Sequence, residues 1–547
     1  MNMIENIPDE QLIQFEPPEE RQRNLTQMPG WEILLGTDGE SGRYSMQAKN
    51  KAILLMLVAL AIVVAVLIKK IKYLHKVVQF VPESGIIMVL GIFVTLVCHL
   101  FGGGYQVTIY GWVIEHVMIA PIILHASYCL FHPHFFGQLG TILTLAVFAT
   151  VLNCLITAGL VYAWIMSIEF LNMMTGYQVL MFSALISAVD PVAVLAVFDT
   201  VGANRALYYL VFGESLLNDG VTFVMYQGFK VFTVLSRETA AEVVEWDHYG
   251  LLMLSFITKP VCGIIIGFVN GLTSSFFSKF STEKSDFLQP LLNLLFAAQA
   301  YIMAIMFGFS GILSLIAFGL TQQRYTFRNI TNTAVVKTRN VVRGFAMVSE
   351  LFLFFILGSE FAALDFANII NFAFIVLAVM TLARIIVTGL CCFVGNKMTR
   401  HQINWKWQIL LIVGGMRGAI AYAMVIQYKG RPFADVFYGT TVFLIFVTTV
   451  VNGMLAKPLV SILQLKEEGQ EHDYDHEYGW DNLEKLGRPM KYFKSFEEKV
   501  ILPFCTKDHR TMEVAANEVI ESEEESIFDR LEKKHMNKYN KKKKSKK

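Results

Sequence analysis

The sequence predicts an all-α, polytopic membrane protein of about thirteen transmembrane helices, two of them broken at membrane depth. Three observations carry that expectation. First, 54% of the 547 residues are hydrophobic and only 17% are charged, with 43 Phe, whereas soluble domains hold about 25% charged residues. Second, the apolar residues gather into runs that approach or exceed the ~20 residues needed to span a bilayer. Third, acids, a proline, glycines and an arginine interrupt a few of those runs. An ionised side chain there costs ~2.5–3.5 kcal/mol on insertion scales, so it faces a watery cavity or a partner.

Residues 1–50 are polar, contain Pro17-Pro18 and read as an extracellular N-terminal segment. Asn24-Leu25-Thr26 is a glycosylation sequon in it, which makes Asn24 the candidate acceptor. The first apolar run begins near Ala52, too far along for a cleaved signal peptide. Ala52–Ile68 is therefore read as a first transmembrane helix that also directs insertion. The spans are roughly 52–70, 85–101, 112–130, 139–164, 177–199, 206–232, 251–277, 288–307, 309–322, 338–361, 369–395, 406–428 and 436–463. The ninth is short for a crossing and the tenth begins polar. Together, residues 51–465 form the transmembrane domain.

Loop charge orients these spans. With the N-terminus outside, the inward loops hold Lys69, Lys70, Lys72 and Lys76, then Arg205, Lys279, Lys284, Arg324, Arg328, Lys337, Arg339, Lys397, Arg400 and Lys406. The outward loops hold only Arg237, Lys429 and Arg431. Basic residues collect on the cytoplasmic side, so the C-terminus is expected in the cytosol. Residues 466–547 are a short, charged and solvated cytoplasmic tail, with Lys541–Lys544 able to touch anionic lipid at ~1 kcal/mol per Lys. A net charge of +1 gives no electrostatic case for nucleic acid. The seven cysteines form no CxxC, and six lie in apolar runs as small buried thiols, so metal and redox chemistry are not expected.

The chemistry concentrates in the sixth span, at Phe212-Gly213-Glu214-Ser215-Leu216-Leu217-Asn218-Asp219-Gly220-Val221-Thr222. Helical spacing puts Glu214 and Asn218 on one face, and Ser215, Asp219 and Thr222 on a neighbouring face. A carboxylate flanked by two hydroxyls suits a dehydrated hard cation such as Na⁺. Burial also disfavours a charged carboxylate, so the same group suits a proton. Competition of both cations for one carboxylate is the simplest chemistry of cation/proton antiport. In the fifth span, Asp190-Pro191 marks a broken helix, because Pro191 removes a backbone donor and freed backbone at that depth lines cavities.

Val413-Gly414-Gly415-Met416-Arg417-Gly418 is the counterpart in the twelfth span. Glycine permits unwinding there, and Arg417 suits the carbonyl ends of half-helices. A pair of interrupted helices in corresponding positions of two halves points to an inverted-repeat transporter. Arg384, inside the eleventh span, needs a buried acid, and Glu214 is the expected partner. Glu350 is a further intramembrane acid, on the tenth span.

These motifs resemble the animal sodium/proton exchanger family, in its plasma-membrane branch. The matching residues are Val81-Pro82-Glu83-Ser84, Pro121-Ile122-Ile123-Leu124, Asp190-Pro191-Val192-Ala193-Val194, Phe212 to Asp219, Phe309-Ser310-Gly311-Ile312, Ala383-Arg384 and Met416-Arg417-Gly418-Ala419, in the family's order. The resemblance implies a homodimer of the inverted-repeat antiporter fold, with a dimerisation part and a core that moves like an elevator. It implies electroneutral exchange of one Na⁺ for one H⁺ from the Asn218-Asp219 pair, Asp219 as ion and proton carrier, and Asp190 assisting. It also pairs Glu214 with Arg384, lets Arg417 support the crossing, and makes regulation of cytosolic pH the output, with no cofactor.

The chain departs from the family in three places. Leu124-His125-Ala126-Ser127-Tyr128 puts a titratable His125 where the family has an acid. Ala304-Ile305-Met306-Phe307 lacks another family acid, at Ile305. Lys466–Tyr478 has no apolar stripe for the calcineurin-homologous EF-hand partner of the relatives, so that partner is not expected. The alternatives are a K⁺-preferring or organellar exchanger of the same fold and a transport-impaired paralogue. An intramembrane aspartyl protease would need Gly-x-Gly-Asp, whereas Asp219 follows Asn218.

Overall fold

The computed structural model describes residues 82–100, 111–167, 174–190, 204–238, 246–280, 288–398, 403–428, 433–463 and 496–506, with a few isolated positions besides. The expected first span at 52–70, residues 1–50 with Asn24, Pro191 and Lys541–Lys544 lie outside the described residues.

Among the described residues the regular structure is helical. In chain order it comprises α1 (Glu83–Leu100), α2 (Gly111–Leu130), α3 (Leu139–Ile165), α4 (Gly176–Leu185), α5 (Arg205–Glu238) and α6 (Trp246–Lys279). Then follow α7 (Gln289–Met306), α8 (Gly311–Thr321), α9 (Asn332–Ala362), α10 (Phe366–Met398), α11 (Trp405–Val413), α12 (Ala419–Ile426) and α13 (Ala434–Ile462).

Local chemistry explains several starts. Thr175 and Gln178 form a capping box at α4: the Gln178 backbone N–H donates to the Thr175 hydroxyl, and the Thr175 N–H donates to Oε1 of Gln178 at 2.9 Å. Ser310 caps α8 through Leu313 N–H, and Thr331 caps α9 through Ala334 N–H at 3.2 Å. The short ninth span is rescued by its continuation: α8 runs on through a π-turn, Gln322–Thr326, into Phe327–Asn329.

Seven of the described helices are long and apolar enough to cross a membrane: α2, α3, α6, α7, α9, α10 and α13. The helix carrying the acid-rich motif, α5, is not among them. Its own polar residues dilute its hydropathy, although its core positions are buried. Helix pairs approach closely where side chains are small, as membrane helices do. On α6, a Cβ built at Gly267 would meet the Ser314 carbonyl oxygen of α8 at 2.0 Å, so those two backbones nearly touch. The opposite face of α6 is apolar and exposed at Leu251, Leu254, Ile257 and Ile265.

One described stretch corrects the reading of the tail as wholly solvated. Residues 496–506 pack against the ends of α6 and the π-turn after α8. Glu497 is 1% exposed and bonds Arg324 Nε at 3.0 Å and the Tyr325 hydroxyl at 2.8 Å. Lys279 donates to the Pro503 carbonyl at 2.9 Å, Asn329 Nδ2 to that of Cys505 at 2.7 Å, and Phe504 stacks on Phe276.

Candidate functional site

The site forms where two helices stop in the middle of the bundle. α4 ends at Leu185, and residues 187–190 are irregular. α11 ends at Val413, residues 414–418 are irregular, and α12 resumes at Ala419. The two interruptions meet. The Asp190 backbone N–H donates to the Met416 carbonyl at 2.8 Å, so a peptide from each half satisfies the other. Arg417 is 2% exposed, and its Nη1 donates to the Ala188 carbonyl at 2.9 Å. Its own peptide is held by α13: Arg417 N–H donates to the Thr448 hydroxyl at 3.1 Å, and Thr449 Oγ1 donates to its carbonyl at 3.2 Å.

Gly418 is tightly enclosed. A Cβ there would lie 1.9 Å from Oδ2 of Asp190, a distance that no non-bonded pair tolerates, so only glycine lets this carboxylate approach the crossing. Gly414 accepts a turn-closing bond from Met416 N–H at 2.8 Å, and Gly415 lies against Arg384 Nε.

α5 brings the remaining groups. Glu214 is paired with Arg384 as expected, at 2.9 Å through Oε1 and 3.2 Å through Oε2, with side chains 3% and 7% exposed. Arg384 also donates to the Leu411 carbonyl at the end of α11, at 3.2 Å. It thereby ties the acid to the crossing. Ser215 donates its hydroxyl to the Val189 carbonyl, and Thr222 donates to the Asp219 carbonyl of its own helix at 3.0 Å. Both hydroxyl protons are thereby spent on protein carbonyls, so each oxygen keeps only acceptor capacity for a further partner. Asn218 is fully buried, and among the described residues neither its Nδ2 nor its Oδ1 has a hydrogen-bond partner. Although Asn218 shares a helix face with Glu214, it does not join the Glu214–Arg384 pair. Asp219 is 8% exposed, within electrostatic reach of both Asp190 and Glu214.

The structure thus brings together Asp190, Glu214, Ser215, Asn218, Asp219, Arg384, Gly415, Arg417 and Gly418. His125 is half-buried on α2, 3.9 Å from Cys129 Sγ, and Glu350 is half-buried on α9. Two acids escaped the sequence reading, Glu360 buried and Glu115 half-buried. Glu360, at the end of α9, bears electrostatically on Tyr422 and Tyr438. Glu115, near the start of α2, bonds Gln427. Both lie near helix ends, where an acid is unremarkable in sequence.

No group of three or more His, Cys, Asp or Glu suited to a resident metal occurs among the described residues. What the site offers is two carboxylates, an amide and carbonyl oxygens, which is a donor set for a transient hard cation.

Two helix interruptions that meet over buried charges, in a bundle whose regular structure is helical among the described residues, mark the inverted-repeat antiporter fold. The same architecture is found in the sodium proton antiporter MjNhaP1 from Methanocaldococcus jannaschii, with a TM-score of 0.56, 16% identity, and coverage of 77% of this chain and 100% of that one. The chain belongs to the sodium/hydrogen exchanger family, whose transmembrane model matches residues 53–462. It is 33% identical over 395 residues to the Na(+)/H(+) exchanger beta of Oncorhynchus mykiss, covering 71% of this chain and 50% of that protein. It is 32% identical over 441 residues to sodium/hydrogen exchanger 3 of Homo sapiens, covering 79% and 52% respectively. The chain thus spans about half the length of the curated relatives it matches.

Proposed function

We propose that the protein is an electroneutral Na⁺/H⁺ antiporter of the plasma membrane, importing Na⁺ in exchange for cytosolic H⁺ and thereby regulating intracellular pH. The observation that carries this reading is the charge balance at the crossing. Asp190, Glu214 and Asp219 supply three negative charges, and Arg384 and Arg417 supply two positive ones. Three minus two leaves one negative charge in a buried site. One Na⁺ or one H⁺ neutralises it equally, so the two compete and the loaded site carries no net charge in either case. Glu214 is neutralised by Arg384, which leaves Asp219 as the carrier and Asp190 as its assistant.

The orphaned amide of Asn218 beside Asp219 supports a ligand there. A buried polar group without a partner costs ~1–3 kcal/mol, and a bound cation or its water shell would satisfy Oδ1. Lone pairs of Ser215 and Thr222 complete the oxygen shell. Exchange follows alternating, elevator-like access, with the crossing and α5 moving as one body. A homodimer fits the apolar, exposed face of α6. The cytosolic placement of the tail is supported by its docking beside Lys279 and Arg324, which belong to the basic ends of the bundle.

The test is Na⁺-dependent recovery of cytosolic pH after acid loading in cells lacking other exchangers. Wild type recovers and Asp219→Asn does not, at equal surface abundance. Equal recovery by the two proteins would remove Asp219 from the carrier role.

A further inference from the structure

We propose that Glu115 is the outer docking residue for the incoming cation, a binding station ahead of Asp219 that sets the affinity for external Na⁺. This inference rests on the antiport reading above and on its topology, in which the start of α2 and the end of α12 face outward.

Glu115 sits on a π-turn, Ile114–Met118, that opens α2. Such turns are rare and recur at functional sites because they aim side chains away from the regular helical register. The carboxylate looks into a cavity of about 80 Å³ lined also by Phe223, Gln227, Gly308, Phe309 and Met424. A water needs ~10–15 Å³ of such space, so the cavity admits a partly hydrated monovalent cation.

The cavity leads to the carrier. Phe223 and Gln227 follow Asp219 on α5 by one and two i+4 steps, so all three share a face. At 1.5 Å per residue, they stand about 6 and 12 Å along the axis from Asp219. A cation held at Glu115 is therefore one helix face away from the exchange site.

Glu115 is fixed rather than free to snorkel. Its side chain is 16% exposed, Gln427 Nε2 donates to Oε2 at 2.5 Å, and the Tyr301 hydroxyl donates to its backbone carbonyl at 3.1 Å. The titratable and charged groups that face it are His116, with Nδ1 3.8 Å from Oε2, and Lys230 of α5, which in turn lies near Arg431 beyond α12. The Lys230 charge keeps the mouth from trapping Na⁺ too tightly to pass on. Ile305 lines the same cavity, so this mouth draws its carboxylate from α2 rather than from α7.

The experiment measures initial rates of pH recovery against external Na⁺ in acid-loaded cells, and against cytosolic Na⁺ with the gradient reversed. Glu115→Gln is expected to raise the half-saturating external Na⁺ about five- to tenfold, as loss of one charge near a surface cleft implies. Maximal rate and cytosolic half-saturation stay near wild type. An unchanged external half-saturation overturns the proposal while leaving antiport intact. Equal shifts on both sides also overturn it, because they signal general damage. A wild-type chain that moves no Na⁺ overturns the antiport reading and this one together. Should Glu115→Gln fail to reach the surface, Glu115→Asp carries the test. It keeps the charge but draws it back from the cavity, so a smaller shift in external half-saturation is expected, and none overturns the proposal.

Discussion

The Glu214–Arg384 pair gives the sharpest energetic prediction. Both side chains are almost fully buried, and they meet through two carboxylate oxygens. Removing one partner from such a pair leaves an uncompensated charge and costs ~3–5 kcal/mol. The two losses should not be equal. Arg384→Met strands Glu214 near Asp190 and Asp219 and also removes the donor to the Leu411 carbonyl, which adds ~1–3 kcal/mol for the orphaned acceptor. Glu214→Met leaves Arg384 near Arg417 but keeps that backbone bond. The expected order of melting temperature is therefore wild type, then Glu214→Met, then Arg384→Met. The double variant buries neither charge and should lose no more than the Arg384 single. Simple addition would instead give ~7–13 kcal/mol, comparable to the whole stability of a typical fold. Thermal melts of detergent-purified protein, read by size exclusion, together with surface biotinylation, measure all four members of the cycle. Losses that add within about 0.5 kcal/mol would refute the contact as an energetic unit.

Two further expectations concern the crossing. Asn218→Asp raises the buried site from one negative charge to two, so exchange should cease to be electroneutral. Whole-cell current at imposed Na⁺ and pH gradients measures this, and a variant that stays active without current would contradict the charge count. Gly418→Ala places a methyl where the Asp190 carboxylate lies. It should abolish or severely slow Na⁺-driven pH recovery while the chain still reaches the surface, since the clash is met by displacing Asp190 rather than by unfolding the bundle. Normal exchange by that variant would remove Asp190 from the ion shell.

Much of this site was legible because hydrocarbon tolerates few exceptions. Arg384 in an apolar span demands an acid, and Glu214, the first choice on the sequence, is the one it meets. Asp190-Pro191 and the Gly414–Gly418 string mark unwinding by covalent chemistry alone, and the two interruptions do meet. Other features were hidden for physical reasons. The orphaned state of Asn218 depends on which side chains surround it, which helical spacing does not encode. Ser215 and Thr222 were readable as oxygen donors, but not the commitment of their protons to Val189 and Asp219. Glu115 gives no sequence signal until Gln427, 312 positions away, is brought beside it. In the tail, the signal was the short apolar string Ile501-Leu502-Pro503-Phe504-Cys505, too brief for a span and easily lost among charges.

The backbone hydrogen bond between Asp190 and Met416 has a consequence for how this site can change. Much of the wall at the crossing is main chain: the carbonyls of Ala188, Val189 and Met416 are present whatever side chains those positions carry. Mutation cannot delete them. On the antiport reading proposed above, retuning the preferred ion is therefore left to a handful of side-chain oxygens, those of Ser215, Asn218 and Thr222 beside the two aspartates. The architecture itself is guarded by the absence of a Cβ at Gly418 and by two arginines. A site built this way can drift in selectivity over many generations of substitution while its framework stays put.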